Sequence, residues 1–172
     1  NLIKAWSDIK PKNWELIIAG PDEAGHRKDL VRLAENLSLD GSVVFQNAVY
    51  GRERDELFSS SHLFILPTYS ENFGLVVPEA LSFGIPVITT KGTPWSQLPQ
   101  VQAGWWIEIG VNPLKEAILD AISKRPSELQ DMGRCGQKFA KKFAWKTIAN
   151  DINLLYQWVS YKTSITSFVD RY

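Results

Sequence analysis

The stretch that decides the fold is His62-Leu63-Phe64-Ile65-Leu66-Pro67-Thr68-Tyr69-Ser70-Glu71-Asn72-Phe73-Gly74-Leu75-Val76-Val77-Pro78-Glu79-Ala80-Leu81-Ser82-Phe83-Gly84. Residues 62–66 form a short apolar run ending at Pro67, the pattern of a buried strand leaving a sheet. Leu75 to Phe83 reads as a helix that stops at Gly84, and Pro86 bars its return. Glu71 and Glu79 therefore flank a strand–loop–helix junction, one in the loop and one about two turns later. The first N–H groups of a helix lack intrahelical partners and lie at its positive end, so an anion such as phosphate is favoured there. Asn72, Phe73, Gly74 and Leu75 would supply those donors, and Gly74 allows close approach to the backbone. Pro78 loses little in the first turn. A carboxylate only accepts hydrogen bonds and can take two from neighbouring hydroxyls, so Glu71 and Glu79 suit a polyol better than a phosphate. A ligand with hydroxyls at both ends and phosphates between them, a nucleotide sugar, matches the pattern. The plain structural alternative makes Glu71 a helix-dipole partner, worth roughly 0.3–1 kcal/mol, and Glu79 a solvated helix residue.

Around this junction, strands alternate with helices. Trp14-Glu15-Leu16-Ile17-Ile18-Ala19-Gly20 reads as a buried strand after an opening helix over Asn1 to Lys10, which Pro11 and Asn13 end. Gly20-Pro21-Asp22 is a turn, and Leu30, Leu33, Ala34 and Leu37 stripe the next helix. A strand from Val43 to about Val49 leads through Tyr50-Gly51 into a short helix over Arg52 to Ser60. Beyond the junction come a strand over Pro86 to Thr90, a loop at Lys91-Gly92-Thr93-Pro94 and a strand over Gly104 to Ile109. Three helices follow: one capped by Asn112 with Pro113 at its first position, one marked by Leu129, Met132, Gly136, Phe139 and Phe143, and one beginning near Trp145. This order implies a parallel sheet with helices on both faces. In such sheets ligands bind beyond the carboxyl ends of the strands. The loops Gly20 to Asp22, Asn47 to Gly51, Thr68 to Gly74 and Lys91 to Pro94 then converge on one crevice, with the two glutamates on its rim.

Composition narrows the function classes. The 172 residues hold 19 Lys plus Arg against 19 Asp plus Glu, so no basic surplus argues for nucleic acid or a polybasic membrane contact. The lone cysteine, Cys135, has no internal disulfide partner and suits a reducing compartment. No apolar run approaches membrane-spanning length, and no signal peptide opens the chain. His26 and His62 lack Cys or His neighbours at ligand spacing, so neither a metal nor another cofactor is expected. Trp105-Trp106 reads as strand core and sheet edge rather than a sugar-stacking platform. Arg52 and Arg54 either pair with Glu53, Asp55 or Glu56 or serve the ligand.

At Glu71 and Glu79 the sequence resembles a known family, retaining glycosyltransferases of the GT-B fold in the surroundings usual for glycosyltransferase family 4. The E-x7-E pair, Leu66 to Gly74 and Pro78-Glu79-Ala80-Leu81-Ser82-Phe83-Gly84-Ile85-Pro86-Val87-Ile88 carry the resemblance, which extends through most of the chain. It covers only the C-terminal, donor-binding domain. The resemblance implies a Rossmann-like domain over residues 1–160, with 161–172 a tail ending the helix that returns toward an N-terminal acceptor-binding domain. It implies transfer of a hexosyl group from a nucleotide sugar to a saccharide or lipid-linked saccharide, without metal. Polysaccharide biosynthesis in the cytoplasm, or at the inner face of the membrane by peripheral association, is the setting it implies. Glu71 would contact sugar hydroxyls as the catalytic-site carboxylate, Glu79 the ribose, and Asn72, Phe73, Gly74 and Leu75 the sugar and diphosphate. Gly20 and the segment from Val49 to Arg54 would border the nucleotide, with Arg54 near the base.

Two departures stand out. The family often carries Gly-Gly-x-x-Glu after the fifth strand, where this chain has Gly92-Thr93-Pro94-Trp95-Ser96-Gln97. A diphosphate beside carboxylates needs positive charge, since like charges at ~4 Å repel by several kcal/mol at intermediate dielectric. Only Lys91, Arg52 and Arg54 offer it here; the family's Arg and Lys come from a segment expected before Asn1, together with the first strand. The family sheet runs 3-2-1-4-5-6, so the strands at Leu16–Ala19 and Leu63–Leu66 should face each other across a gap, or pair by rearrangement. Alone, this fragment should bind donor weakly and catalyse nothing. Other readings of the same pattern are a GT-B sugar-nucleotide epimerase, a phosphorylase, or a non-catalytic nucleotide-binding module.

Overall fold

In the computed structural model, which describes residues 1–161, the chain forms seven α-helices and five strands in the expected alternation. They are α1 (Leu2–Ile9), β1 (Leu16–Ala19), α2 (His26–Asn36), β2 (Val43–Gln46), α3 (Gly51–Ser60), β3 (Phe64–Leu66), α4 (Val76–Ser82), β4 (Val87–Thr90), β5 (Gly104–Ile107), α5 (Val111–Ser123), α6 (Pro126–Ala140) and α7 (Trp145–Tyr161). A 3₁₀ turn, Lys141–Phe143, joins the last two. The expected tail over 161–172 lies outside the described residues apart from Tyr161, which ends α7. No helix among the described residues is long and apolar enough to cross a membrane.

Some boundaries move for local reasons. The strand expected to run to Val49 stops at Gln46, where the carbonyls of Gly20 and Gln46 both accept from Arg27. Asn112 does not cap α5. The helix begins at Val111 behind Gly110, which puts Pro113 third in the first turn, still among N–H groups without helical acceptors. The helix expected to include Phe143 tightens into the 3₁₀ turn after Ala140. Its start is marked instead by a box in which Glu128 accepts from the Arg125 backbone at 2.8 Å, with Pro126 next.

All strand pairs are parallel, but they form two sheets, β1–β2 and β3–β4–β5. Side-chain alternation sorts the strands' residues to two faces. On one face Leu16, Ile18, Val43 and Phe45 of the first sheet share a core with Ile65, Ile88, Trp105 and Ile107 of the second, roofed by α1, α2 and α5. Ile88 and Ile118 in this core are fully buried. Burial of each such side chain is worth roughly 1.5–3 kcal/mol. On the other face Phe64, Leu66, Val87 and Trp106 pack with α4 and α6. At the sheet edge, the Trp105 indole donates to Asp120 at 2.8 Å; with help from Lys124, this holds the Asp120 carboxyl below its ordinary range.

One roof therefore spans two sheets whose facing edges, β1 and β3, do not pair. The family order 3-2-1-4-5-6 predicts this arrangement, with the central position open. Leu16 N donates to Ser42 O and Gly20 N to Gln46 O, so alternation turns the amides of Ile17 and Ala19 toward the open edge. Phe64 N donates to Pro86 O, which turns the Ile65 amide the same way from the other side. Hydrogen exchange at Ile17, Ala19 and Ile65 is expected to run at least about tenfold faster than at Ile18 and Leu66. Equal protection of the two sets would show the edges closed on each other.

Candidate ligand site

Parallel strands bring their exit loops to one edge: Gly20–Glu23 after β1, Asn47–Tyr50 after β2, Pro67–Leu75 after β3 and Lys91–Trp95 after β4. The third of these loops and the strand end before it are pinned by β4 together with the fourth loop. Thr89 Oγ1 donates to the Leu66 carbonyl at 3.0 Å, and Thr90 Oγ1 donates to the Thr68 carbonyl. Glu71 N donates to Gly92 O at 2.9 Å, and the Trp95 indole N–H donates to the Phe73 carbonyl at 2.6 Å. Thr68 Oγ1 closes the loop on itself by donating to Ser70 O at 3.0 Å. Gly92 is needed because the two loops run backbone to backbone. A Cβ there would sit inside contact distance of the Tyr69 carbonyl.

This pinning leaves specific groups outward. Glu71, Asn72, Phe73 and Leu75 are exposed, while Gly74 is buried with φ +70°, a conformation that favours glycine. Among the described residues, the amides of Asn72, Phe73, Gly74 and Leu75 have no backbone acceptor, whereas that of Glu71 is spent on Gly92. The Glu71 stem lies against Gly74, with Cγ 3.1 Å from where a Gly74 Cβ would stand. Helix α4 has only seven residues. Its dipole is therefore short, and the capacity to receive an anion rests on the oriented loop amides as much as on the helix.

Glu79 lies in the first turn of α4, where Oε1 meets Arg54 Nη1 at 3.2 Å. Arg54 also holds Asp55 at 3.0 Å, while Arg52 pairs with Glu56 at 2.7 Å on the open face of α3. Of the two arginines weighed for the ligand, Arg52 thus takes the solvated alternative, and Arg54 is brought to a predicted site carboxylate. The Arg54 and Glu79 side chains are 41% and 38% exposed, so water screens the pair. Such a pair is worth about 0–1 kcal/mol. One ion pair does not exhaust a carboxylate with roughly four acceptor positions.

Gly20 borders a separate hollow of about 240 Å³ lined by Ile18, Pro21, Asp22, His26, Arg27 and Phe45 among others. Neither glutamate lines it. Arg27, which the sequence did not single out, organises the first side. Its guanidinium donates to Gly20 O at 2.7 Å, Gln46 O at 2.9 Å and Asn47 Oδ1 at 2.7 Å, while its own N–H is capped by Asp22. Val49 is half-buried beyond this clamp, before the exposed Tyr50. Lys91, expected as a cation for a diphosphate, does not stand free. It pairs with Glu108 and lies over the Trp106 ring at 5.6 Å. Trp106 donates to the Thr93 carbonyl at 3.1 Å, which bears out its reading as a structural residue. Among the described residues no group of three His, Cys, Asp or Glu is placed to hold a metal.

Comparison with known proteins bears directly on this arrangement. The family model for glycosyl transferases group 1 matches residues 1–139. The chain belongs to that family. Among its relatives, a D-inositol 3-phosphate glycosyltransferase of Streptomyces griseus is 31% identical over 140 residues, covering 78% of this chain and 29% of the relative. The chain thus spans less than a third of that relative's length. Among solved structures, sucrose-phosphate synthase from Thermosynechococcus elongatus aligns with TM-score 0.80 and 21% identity, covering 94% of this chain and 43% of the other. Anabaena HepE, solved with UDP-glucose, aligns with TM-score 0.76 and 20% identity over 92% of this chain and 44% of its own. For this group 1 member, the structural matches establish the GT-B C-terminal fold.

Proposed function

We propose that residues 1–161 form the donor-binding half of a retaining glycosyltransferase that takes a hexosyl group from a nucleotide sugar. The observation that carries this reading is the β3–α4 loop: amides at Asn72 to Leu75 with no backbone acceptor among the described residues, flanked by Glu71 and Glu79. Amides complement the diphosphate, and the carboxylates complement the hydroxyls of sugar and ribose. Arg54, already against Glu79, orients that carboxylate next to the nucleoside. Gly20, Val49 and the hollow beside Arg27 border the nucleotide from the opposite side. Family membership and the UDP-glucose found in HepE support this ligand class.

Transfer itself belongs to the longer protein, with an N-terminal domain holding a saccharide or lipid-linked saccharide acceptor at the exposed rim. Charge developing on the leaving diphosphate would be met by loop amides and basic side chains, so the reading needs no metal. Polysaccharide assembly in the cytoplasm, or at the inner membrane face, is the setting proposed for it.

The test is calorimetric titration of the chain with UDP, GDP and ADP, then with their hexose conjugates. One conjugate should bind more tightly than its bare nucleotide, and Glu71→Ala should remove that advantage. A charge-assisted hydrogen bond is worth roughly 1.5–3 kcal/mol, so the advantage lost is about tenfold or more. No binding by wild type, or an advantage that survives Glu71→Ala, would overturn the assignment.

A further inference from the structure

Gly92-Thr93-Pro94-Trp95 stands where the family often has Gly-Gly-x-x-Glu, and the function proposed above gives it no part. Trp95 is 2% exposed, and its indole lies 5.0 Å from the rings of both Phe73 and Phe143 and 6.2 Å from Phe139. A tryptophan in such a cluster needs only its shape to fill the core. Here, however, the one polar atom of the ring is aimed at the site loop, donating to the Phe73 carbonyl at 2.6 Å.

That bond has a geometric consequence. The described residues have no cis peptide bond, so the Phe73 C=O and the Gly74 N–H point in opposite directions within one rigid plane. Drawing the carbonyl down onto the indole turns the Gly74 N–H up, away from the aromatic core. Glycine at position 74, with φ +70°, is softer than any other residue about this plane, so the orientation needs an external hold. The hold is itself anchored from beneath, since Trp106 donates to the Thr93 carbonyl, two residues before Trp95.

We propose that Trp95 is a positioning residue. Its indole N–H fixes the Phe73–Gly74 peptide so that the Gly74 amide, beside Glu71, is presented to the sugar and diphosphate. This rests on the donor-site reading and adds to it the part played by the variant loop. The Phe73, Phe139 and Phe143 rings keep the indole in register, while the hydrogen bond sets the amide's direction.

The experiment uses the full natural chain that carries these residues. Trp95→Phe retains an aromatic ring. Incorporation of 3-benzothienylalanine at position 95 retains the bicyclic shape and deletes only the N–H, so a folded comparison exists even where Trp95→Phe unfolds. Binding is measured for the nucleoside monophosphate, nucleoside diphosphate and nucleoside diphosphate–glucose of the preferred base, beside the melting temperature. The analogue should weaken diphosphate and sugar conjugate about tenfold, leave the monophosphate within about twofold and melt like wild type. A purely structural role would instead lower the melting temperature or weaken all three alike, which would overturn the proposal. Unchanged affinity for the conjugate in the analogue would also overturn it and leave the donor site standing. Failure of wild type to bind any of the three would overturn the donor-site reading, and the positioning role with it.

Discussion

Gly92→Ala is expected to destabilise the protein by about 2–4 kcal/mol and to disorder the β3–α4 loop. The φ of Gly92 is one any residue can adopt, so the cost is steric. The added methyl would overlap the Tyr69 carbonyl and approach that of Thr68 at 3.1 Å. These are backbone atoms of a loop already tied to β4 and its exit by Thr89, Thr90 and Gly92 itself. They cannot yield as a side-chain tip would. Overpacking of this kind costs typically 1–3 kcal/mol. Separating the loops would also strain the Glu71 N–H bond to Gly92 O, worth about 1 kcal/mol more. In a chain of this size each kcal/mol moves the melting temperature by about 2–4 °C, so a fall of roughly 5–15 °C is the expected calorimetric result. Gly20→Ala is the control. Nothing lies within 4 Å of its new Cβ. Its melting temperature should therefore stay near wild type, and any effect should be on ligand approach. A Gly92→Ala protein that melts with wild type would show that the two exit loops separate freely.

The contrast between these glycines illustrates what sequence carries and what it does not. The strand–loop–helix junction was legible because its signals are local. A run ending in Pro67, a helix stop at Gly84 and the spacing of Glu71 and Glu79 each depend on neighbours within a turn or two. The same holds for the alternation that sorts Val87 and Ile88 to opposite faces, and for the open position between β1 and β3, which follows from the family's strand order. What holds the loop in place was hidden because it is non-local. Thr89 and Thr90 read as ordinary strand residues, yet their hydroxyls satisfy carbonyls of another strand's exit. Trp95 reads as one more apolar side chain, and only the fold shows its nitrogen meeting a carbonyl 22 positions away. Arg27 gave no signal beyond a charge early in a helix, though it ties together the ends of two strands. Lys91 erred in the other direction. Its place at a strand end promised a free cation near the phosphates, and a partner across β5, Glu108, takes it.

The diversion of Lys91 and the pairing of Arg54 sharpen what the two glutamates should do in the longer transferase proposed above. Glu71 has no cationic side chain within ion-pair distance among the described residues, whereas Glu79 has Arg54. Their neutral isosteres should therefore fail differently. Glu71→Gln removes the charge that, on the proposed reading, accepts from sugar hydroxyls and sets the orientation of the ring. A charged hydrogen bond worth roughly 1.5–3 kcal/mol, at about 1.36 kcal/mol per factor of ten, gives a fall of roughly 10- to 150-fold in kcat/KM for the sugar donor. Affinity for the bare nucleotide should be nearly unchanged. Glu79→Gln removes a ribose acceptor and releases Arg54, so it should weaken nucleotide and conjugate together and raise KM more than it lowers kcat. Among the described residues Arg54 then pairs with Asp55 alone, and its freed charge attracts the anionic nucleotide, so the loss should shrink as salt falls and screening weakens. Initial rates against donor concentration, with product-nucleotide inhibition on the same variants, separate the two patterns. If Glu71→Gln instead weakens the bare nucleotide as much as the conjugate, Glu71 serves the phosphates or the fold rather than the sugar. The division of labour between the two carboxylates would then have to be redrawn.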